Sequence, residues 1–129
     1  MNNDIPEKLR KFVVTELPKF VEVAGHHKPT PFWIEPGMFP GVRLRVAGSE
    51  VSKVVGAPHA DPHVHDNPEI YLAPSEEKGA ILVEIQMDGE RFLLSSPFAV
   101  FIPAGVSHCF RVMRCKEPHY VFGILLANN

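Results

Sequence analysis

His63-Val64-His65-Asp66-Asn67-Pro68-Glu69 and, about forty residues downstream, Pro103-Ala104-Gly105-Val106-Ser107-His108 constrain the fold of this chain more than anything else in it. Three histidines and a carboxylate at these offsets make one metal site if the fold lays the two segments side by side. Alternate side chains of a β-strand share a face, so His63 and His65 can reach one ion from a single strand. Glu69 keeps that parity. The intervening Asp66-Asn67-Pro68 is of the kind that bends or bulges a chain, which makes convergence possible without requiring it. His108 has to come from a neighbouring strand.

The rest of the chain after Pro40 agrees with a sheet architecture. Short runs rich in β-forming residues, separated by Gly, Pro, Asp and Asn, recur about every ten residues, the pattern of an antiparallel sandwich or barrel. They fall at Val42–Ala47, Val51–Gly56, His63–His65, Glu69–Ala73, Ala80–Met87, Glu90–Ser95, Phe98–Ile102 and Ser107–Met113, with a last strand at His119–Leu126. Asp88-Gly89 is a hairpin signal, because both central positions of a type I′ turn need positive φ and this pair accepts it.

The first forty residues read differently. Asp4 and Glu7 have the spacing of a capping box, and Pro6 is tolerated in a first turn, so a short helix is expected from Ile5 to Val14. Its Leu9, Phe12 and Val13 form an apolar stripe suited to the outside of a barrel or to a subunit contact. Pro18, Pro29, Pro31, Pro36 and Pro40, with the run Phe32-Trp33-Ile34, suggest an extended arm that packs through its aromatics. Residues 1–40 are thus helix and arm, and 41–129 the strand-rich body of the same domain. A length of 129 residues suits one domain with a real core.

Composition removes several classes of function. With 45% apolar residues, 22% charged residues and a net charge of -2, neither nucleic acid nor a membrane surface is favoured as a partner. No stretch approaches the length of a membrane span. The start, Met1-Asn2-Asn3-Asp4, lacks the basic segment and apolar run of a secretory signal, so the cytoplasm is the expected location. Cys109 and Cys115 form no CxxC pattern and read as reduced thiols, Cys109 facing away from its neighbour His108. No GxSxG elbow, P-loop or GxGxxG occurs, and no helix-turn-helix segment fits beside the sheet.

The paired motifs resemble the two signature motifs of the cupin family, over roughly Val42 to Leu126. The family patterns are G-x5-H-x-H-x3,4-E-x6-G and G-x5-P-x-G-x2-H-x3-N. His63, His65 and Glu69 match the ligands of the first, and Pro103, Gly105 and His108 match the turn and ligand of the second. The flanks depart: Ala57, beside Gly56, and Glu76, with Gly79 nearby, stand at the glycines of the first motif. Pro97 and Val112 stand where the second has glycine and asparagine. The resemblance implies an all-β, double-stranded β-helix (jelly-roll) barrel with a His3Glu-bound divalent metal. It also implies a homodimer, to which Phe32 and Trp33 of the arm could contribute by crossing to a neighbouring subunit.

Four ligands of this type leave about two positions open on an octahedral ion. Fe(II) or Mn(II) is favoured, and Ni(II), Co(II) and Zn(II) also suit the set, whereas the absence of thiolates argues against a closed structural zinc site. Tyr71, two residues after Glu69, shares its face and is the first candidate for an acid, base or substrate-orienting hydroxyl, the alternative being a wall aromatic. Glu84 and Gln86 alternate with Ile81, Val83, Ile85 and Met87. If the polar face is inward, Glu84 is a candidate base or a partner of a ligand histidine; otherwise it faces solvent. Arg43 and Arg45 pose the same choice, with the exposed face the simpler reading, and Arg111 has outward parity. His59 reads mainly as a solvated loop residue, the alternative being a substrate contact at the rim. His26-His27 has no carboxylate nearby in sequence to support a second metal site, and His119 reads as structural.

Two functions follow as expectations. One is a metal-dependent cupin enzyme acting on a small organic molecule, with dioxygenase, lyase and isomerase chemistry all open and dioxygenase slightly ahead. Phe98, Val100, Ile102 and Phe110 favour a substrate with an apolar or aromatic part. The other is a non-catalytic, metal-dependent binding or sensing barrel.

Overall fold

A computed structural model describes residues 4–127; Met1-Asn2-Asn3 lies outside the described residues. The period-two patterning becomes strands β1 (Lys19–Val21), β2 (Thr30–Ile34), β3 (Arg45–Glu50), β4 (Glu69–Ala73), β5 (Ile81–Met87), β6 (Glu90–Ser95), β7 (Phe98–Ile102), β8 (His108–Cys115) and β9 (Tyr120–Leu125). They form a six-stranded sheet in the order β1-β2-β3-β9-β4-β7 and a three-stranded sheet in the order β6-β5-β8. Every strand pairing is antiparallel, and the architecture is the all-β cupin jelly roll.

β5 decides which faces look inward. Ile81, Val83 and Ile85 are completely buried, while Leu82, Glu84 and Gln86 between them are only partly so. Burying three aliphatic side chains contributes several kcal/mol, at about 1.5–3 kcal/mol each, so the apolar face takes the interior. Through the β5–β8 register, Met87 stands opposite His108, Ile85 opposite Phe110 and Val83 opposite Val112. On β4, Glu69, Tyr71 and Ala73 are the buried positions. The barrel interior is therefore layered, with Glu69 and His108 at one end and Tyr71, Phe110, Ile85, Val83, Val112 and Ala73 filling the layers beyond. The Asp88-Gly89 hairpin forms as expected, with φ of 53° and 79°.

Four local expectations are corrected. The N-terminal helix is a 3-10 helix, Glu7–Phe12, preceded by Pro6 with no side-chain cap, and none of its residues is buried. A stripe with nothing to cover it does not sustain longer α-helical pairing. The segment 51–56 is a turn, and the strand expected at Val42–Ala47 starts at Arg45 and continues to Glu50. His63–His65 is not a strand: His63 makes an isolated bridge to His108 and the chain then bends away through Asp66-Asn67. The arm packs on its own barrel. β2 pairs with β3, Phe32 is buried in its own barrel, and Trp33 Nε1 donates to the Gly48 carbonyl at 2.9 Å.

Candidate metal centre

Backbone hydrogen bonds, more than regular strands, place the ligands. His63 N–H donates to the His108 carbonyl at 3.1 Å and His108 N–H returns the bond at 3.0 Å, which locks the two motifs together. Gly105 N–H donates to the His65 carbonyl at 3.0 Å, tying the Pro-x-Gly turn to the first motif. Asn67 Nδ2 and the Leu126 N–H anchor the bend to the end of β9, at 2.9 Å to the Leu126 carbonyl and 3.0 Å to the Pro68 carbonyl. His63, His65, Glu69 and His108 then each present a donor atom, all within 4.8 Å of one another. Ligands about 2.0–2.2 Å from a shared ion lie no more than about 4.4 Å apart, so small side-chain movements close the set.

The donor chemistry also suits a cation. Nδ1 of His63, His65 and His108 lies 2.8, 2.7 and 2.8 Å from the carbonyls of Asp61, Asn67 and Val106. A carbonyl only accepts, so each Nδ1 carries the hydrogen, and in neutral imidazole each Nε2 is then a lone pair. Yet Glu69 Oε1 lies 3.1 Å from His65 Nε2 and 2.9 Å from His108 Nε2. Acceptors facing acceptors at that range repel unless a proton or a metal ion stands between them. Burial would raise the Glu69 pKa, but hydrogen bonds and charge from His108 and His65 bring it below the ordinary carboxylate value. Burial would lower that of His108, but Glu69 and the Val106 carbonyl raise it. His63 is lowered by burial and by the neighbouring His108 and His26, against its Asp61 bond.

Beside the ligands is a small chamber of about 50 Å³, bounded by His63, Glu69, Tyr71, His59, His26 and Thr30 among others. Tyr71 faces it as its parity requires, with its ring centre 5.8 Å from that of His108 and 5.1 Å from that of Phe110. Burial, then the Glu69 charge, raises its pKa, so the phenol keeps its proton. Glu84 does not join the site. It lies on the other face of β5, opposite Arg111, and lines a separate depression with Gln86, Arg91 and Arg111. The apolar face of β5 is the inner one, which leaves Glu84 no route to the ligands. Arg43 and Arg45 are exposed, as the simpler reading had it. Cys109 points from the metal face toward Gln86.

Three further residues shape the site. His59, expected as a solvated loop residue, instead stacks on Phe110 at 4.8 Å and 14° and lines the chamber. Burial, then the proximity of His26, pushes its pKa down to about 4. His26 arrives from the arm, its ring 5.4 Å from that of His63 and 5.5 Å from that of His59. No local pattern announces it, because its approach depends on the arm pairing through His26 with Ala60 and on the Asp61 N–H bond to the Gly25 carbonyl. Gly123, in β9, makes room for the carboxylate: a Cβ there would overlap Glu69 Oε2. A glycine inside a strand marks such close approaches, and that signal is present in the sequence.

No protein-family model and no curated protein matches the sequence. Solved structures do: the fold is that of the cupins. The chain is similar to an RmlC-like cupin from Shewanella frigidimarina NCIMB 400, at 13% identity and a TM-score of 0.56 over 88% of this chain and 86% of that one. A cupin 2 conserved barrel domain protein from Salinispora arenicola CNS-205 matches at 18% identity and a TM-score of 0.54, over 77% and 75% of the two chains. AerE from Microcystis aeruginosa matches at 14% identity and a TM-score of 0.61 over 86% of this chain, which spans 46% of that protein's length.

Proposed function

We propose that this protein is a metal-dependent enzyme acting on a small organic molecule, with His63, His65, Glu69 and His108 holding one divalent transition metal. The observation that carries this reading is the Glu69 carboxylate set against two imidazole lone pairs whose opposite nitrogens are fixed by carbonyls. Fe(II) or Mn(II) is favoured. Bound there, such an ion supplies Lewis-acid polarisation or a redox centre with about two open positions, which suits dioxygenase, lyase or isomerase chemistry.

The protein's own groups do the rest. The carbonyls of Asp61, Asn67 and Val106 hold the three imidazoles in one tautomer. The apolar layers of Ile85, Phe110 and Val83 exclude water from behind the site. Tyr71 keeps its phenolic proton at the chamber wall, ready to hydrogen-bond or protonate an oxygen of the substrate. Dioxygenase chemistry stands slightly ahead, and a cytoplasmic homodimer is the expected setting; a mass of about one chain by light scattering would overturn the dimer.

Elemental analysis of protein purified anaerobically without chelator tests the centre. Near-stoichiometric iron or manganese is expected, and oxygen uptake with candidate substrates then separates oxygenase from lyase or isomerase. Failure to bind any transition metal after reconstitution overturns the enzyme reading and favours a metal-free binding barrel.

A further inference from the structure

The roof of the chamber contains an unsatisfied group. Thr30 is 6% exposed, and its Oγ1, itself closed off from solvent, has no hydrogen-bond partner among the described residues. Buried hydroxyls are rarely left so, and one sealed behind a movable side chain is a donor or acceptor for whatever displaces that side chain. Thr30, His26 and His59 line two spaces at once. On one side is the metal chamber, about 50 Å³. On the other is a surface groove of about 400 Å³ between the arm and the 53–59 loop.

The two volumes dictate how a ligand would be divided. The chamber admits a few heavy atoms, whereas the groove is within the roughly 300–1,000 Å³ range of small-molecule sites. The groove walls are apolar, with Phe20, Pro31, Val54 and Val55, and its edge carries Lys28 and Lys53. Among the described residues lining it there is no carboxylate, although Glu50 lies near enough to feel the charge of Lys53 and Asp61 pairs with His27 at 3.2 Å.

We propose that groove and chamber form one binding site for a small amphipathic carboxylate. Its apolar body occupies the groove, and its carboxylate passes between His26 and His59 to accept a hydrogen bond from Thr30 Oγ1 within reach of the metal. Lys28 and Lys53 attract the anion to the mouth. His59 is fixed by its stack on Phe110. His26 is the part that turns aside, since its one side-chain hydrogen bond among the described residues, from Nδ1 toward the Ala24 carbonyl, is long at 3.4 Å. Thr30 is a positioning residue here. The inference deepens the proposed function by naming a substrate class, and its metal-proximal half rests on that reading.

The test uses the full chain, metal-free and Zn(II)-loaded, titrated with 3-phenylpropanoate and with the uncharged 3-phenylpropan-1-ol, read by calorimetry and by amide chemical-shift mapping. The carboxylate is expected to bind both forms, more tightly with zinc, to shift the amides of Thr30, Val54 and Val55, and to outcompete the alcohol. Thr30→Val is expected to weaken binding about five- to tenfold in both forms with zinc content unchanged, and Thr30→Ser to restore it. Lys53→Met should weaken the carboxylate and leave the alcohol unaffected.

Binding to neither form, shifts confined to the Arg91 and Arg111 depression, or indifference to Thr30→Val would each overturn the proposal. If no transition metal binds, zinc included, while the Thr30-dependent carboxylate binding persists in the metal-free form, the enzyme reading falls and the anion site stands. If zinc binds and the carboxylate does not, the metal centre stands and the anion site falls.

Discussion

The floor and the roof of the chamber are built on opposite terms. On the floor, every imidazole has its Nδ1 tied to a carbonyl of its own loop, and Glu69 is pressed among them with Gly123 cleared to admit it. On the roof, Thr30 Oγ1 has no hydrogen-bond partner among the described residues, and His26 hangs from an arm that enters from outside the barrel. A floor whose ligands are oriented in advance is suited to an ion of fixed charge and radius. A roof with an open donor is suited to a ligand that comes and goes.

The contrast fails most completely if the floor is not a metal centre. His108→Ala should reduce bound metal from about one ion per chain to near background by elemental analysis, with the sheet signal retained in circular dichroism. Removing a ligand from the floor while metal content stays whole would mean that the ion is held elsewhere. The wild type should also gain thermal stability on metal addition, on the order of 4 kcal/mol at a thousandfold excess over Kd, because binding relieves the clustered acceptors.

Tyr71 lies at the boundary between the two regions. Tyr71→Phe keeps the ring against Phe110 and His108 and deletes only the hydroxyl. With a substrate in hand, turnover should fall about a hundredfold while metal content is unchanged. Full turnover in the variant would reduce Tyr71 to a wall aromatic. Gly123→Ala probes the same boundary from the floor side. Its added methyl would displace the Glu69 carboxylate, so metal affinity should drop about ten- to a hundredfold, measured by competition with a chromophoric chelator.

Legibility in the sequence follows the same division. The floor is readable because its ligands fall in two short segments, about forty residues apart, each of which carries its own local pattern: the His-x-His-x3-Glu offsets and the Pro-x-Gly turn before His108. β6 and β7 match the expected runs residue for residue, since short β-forming runs between clear turn signals leave little choice. The face of β5 is not decidable from sequence, because polar alternation is equally compatible with an inner or an outer site until Ile81, Val83 and Ile85 are seen packed in the core. The roof is invisible for a different reason. His26 and Thr30 reach the chamber only because β2 pairs with β3 and the arm bridges Ala60, contacts about fifteen to thirty-five residues apart with no motif to mark them.

His59 offers the finest test of the contrast, because it belongs to the roof but is as firmly packed as the floor. Its folded pKa, pushed down to about 4 by burial and by His26, lies below the ordinary value of 6.5. The unfolded chain therefore binds more protons than the native one between those values, and stability is lost as pH falls from 6.5 toward 4. Between pH 7 and 5.5 that single group should cost about 1 kcal/mol. His63, also depressed, acts in the same direction, and His108, raised, acts in the opposite one. Only the difference between wild type and His59→Phe isolates the effect. Phenylalanine preserves the stack on Phe110, so in metal-free protein the variant's urea midpoint should fall less over this window. Parallel losses in both proteins would show that His59 is solvated in solution and that the roof is looser than its packing indicates.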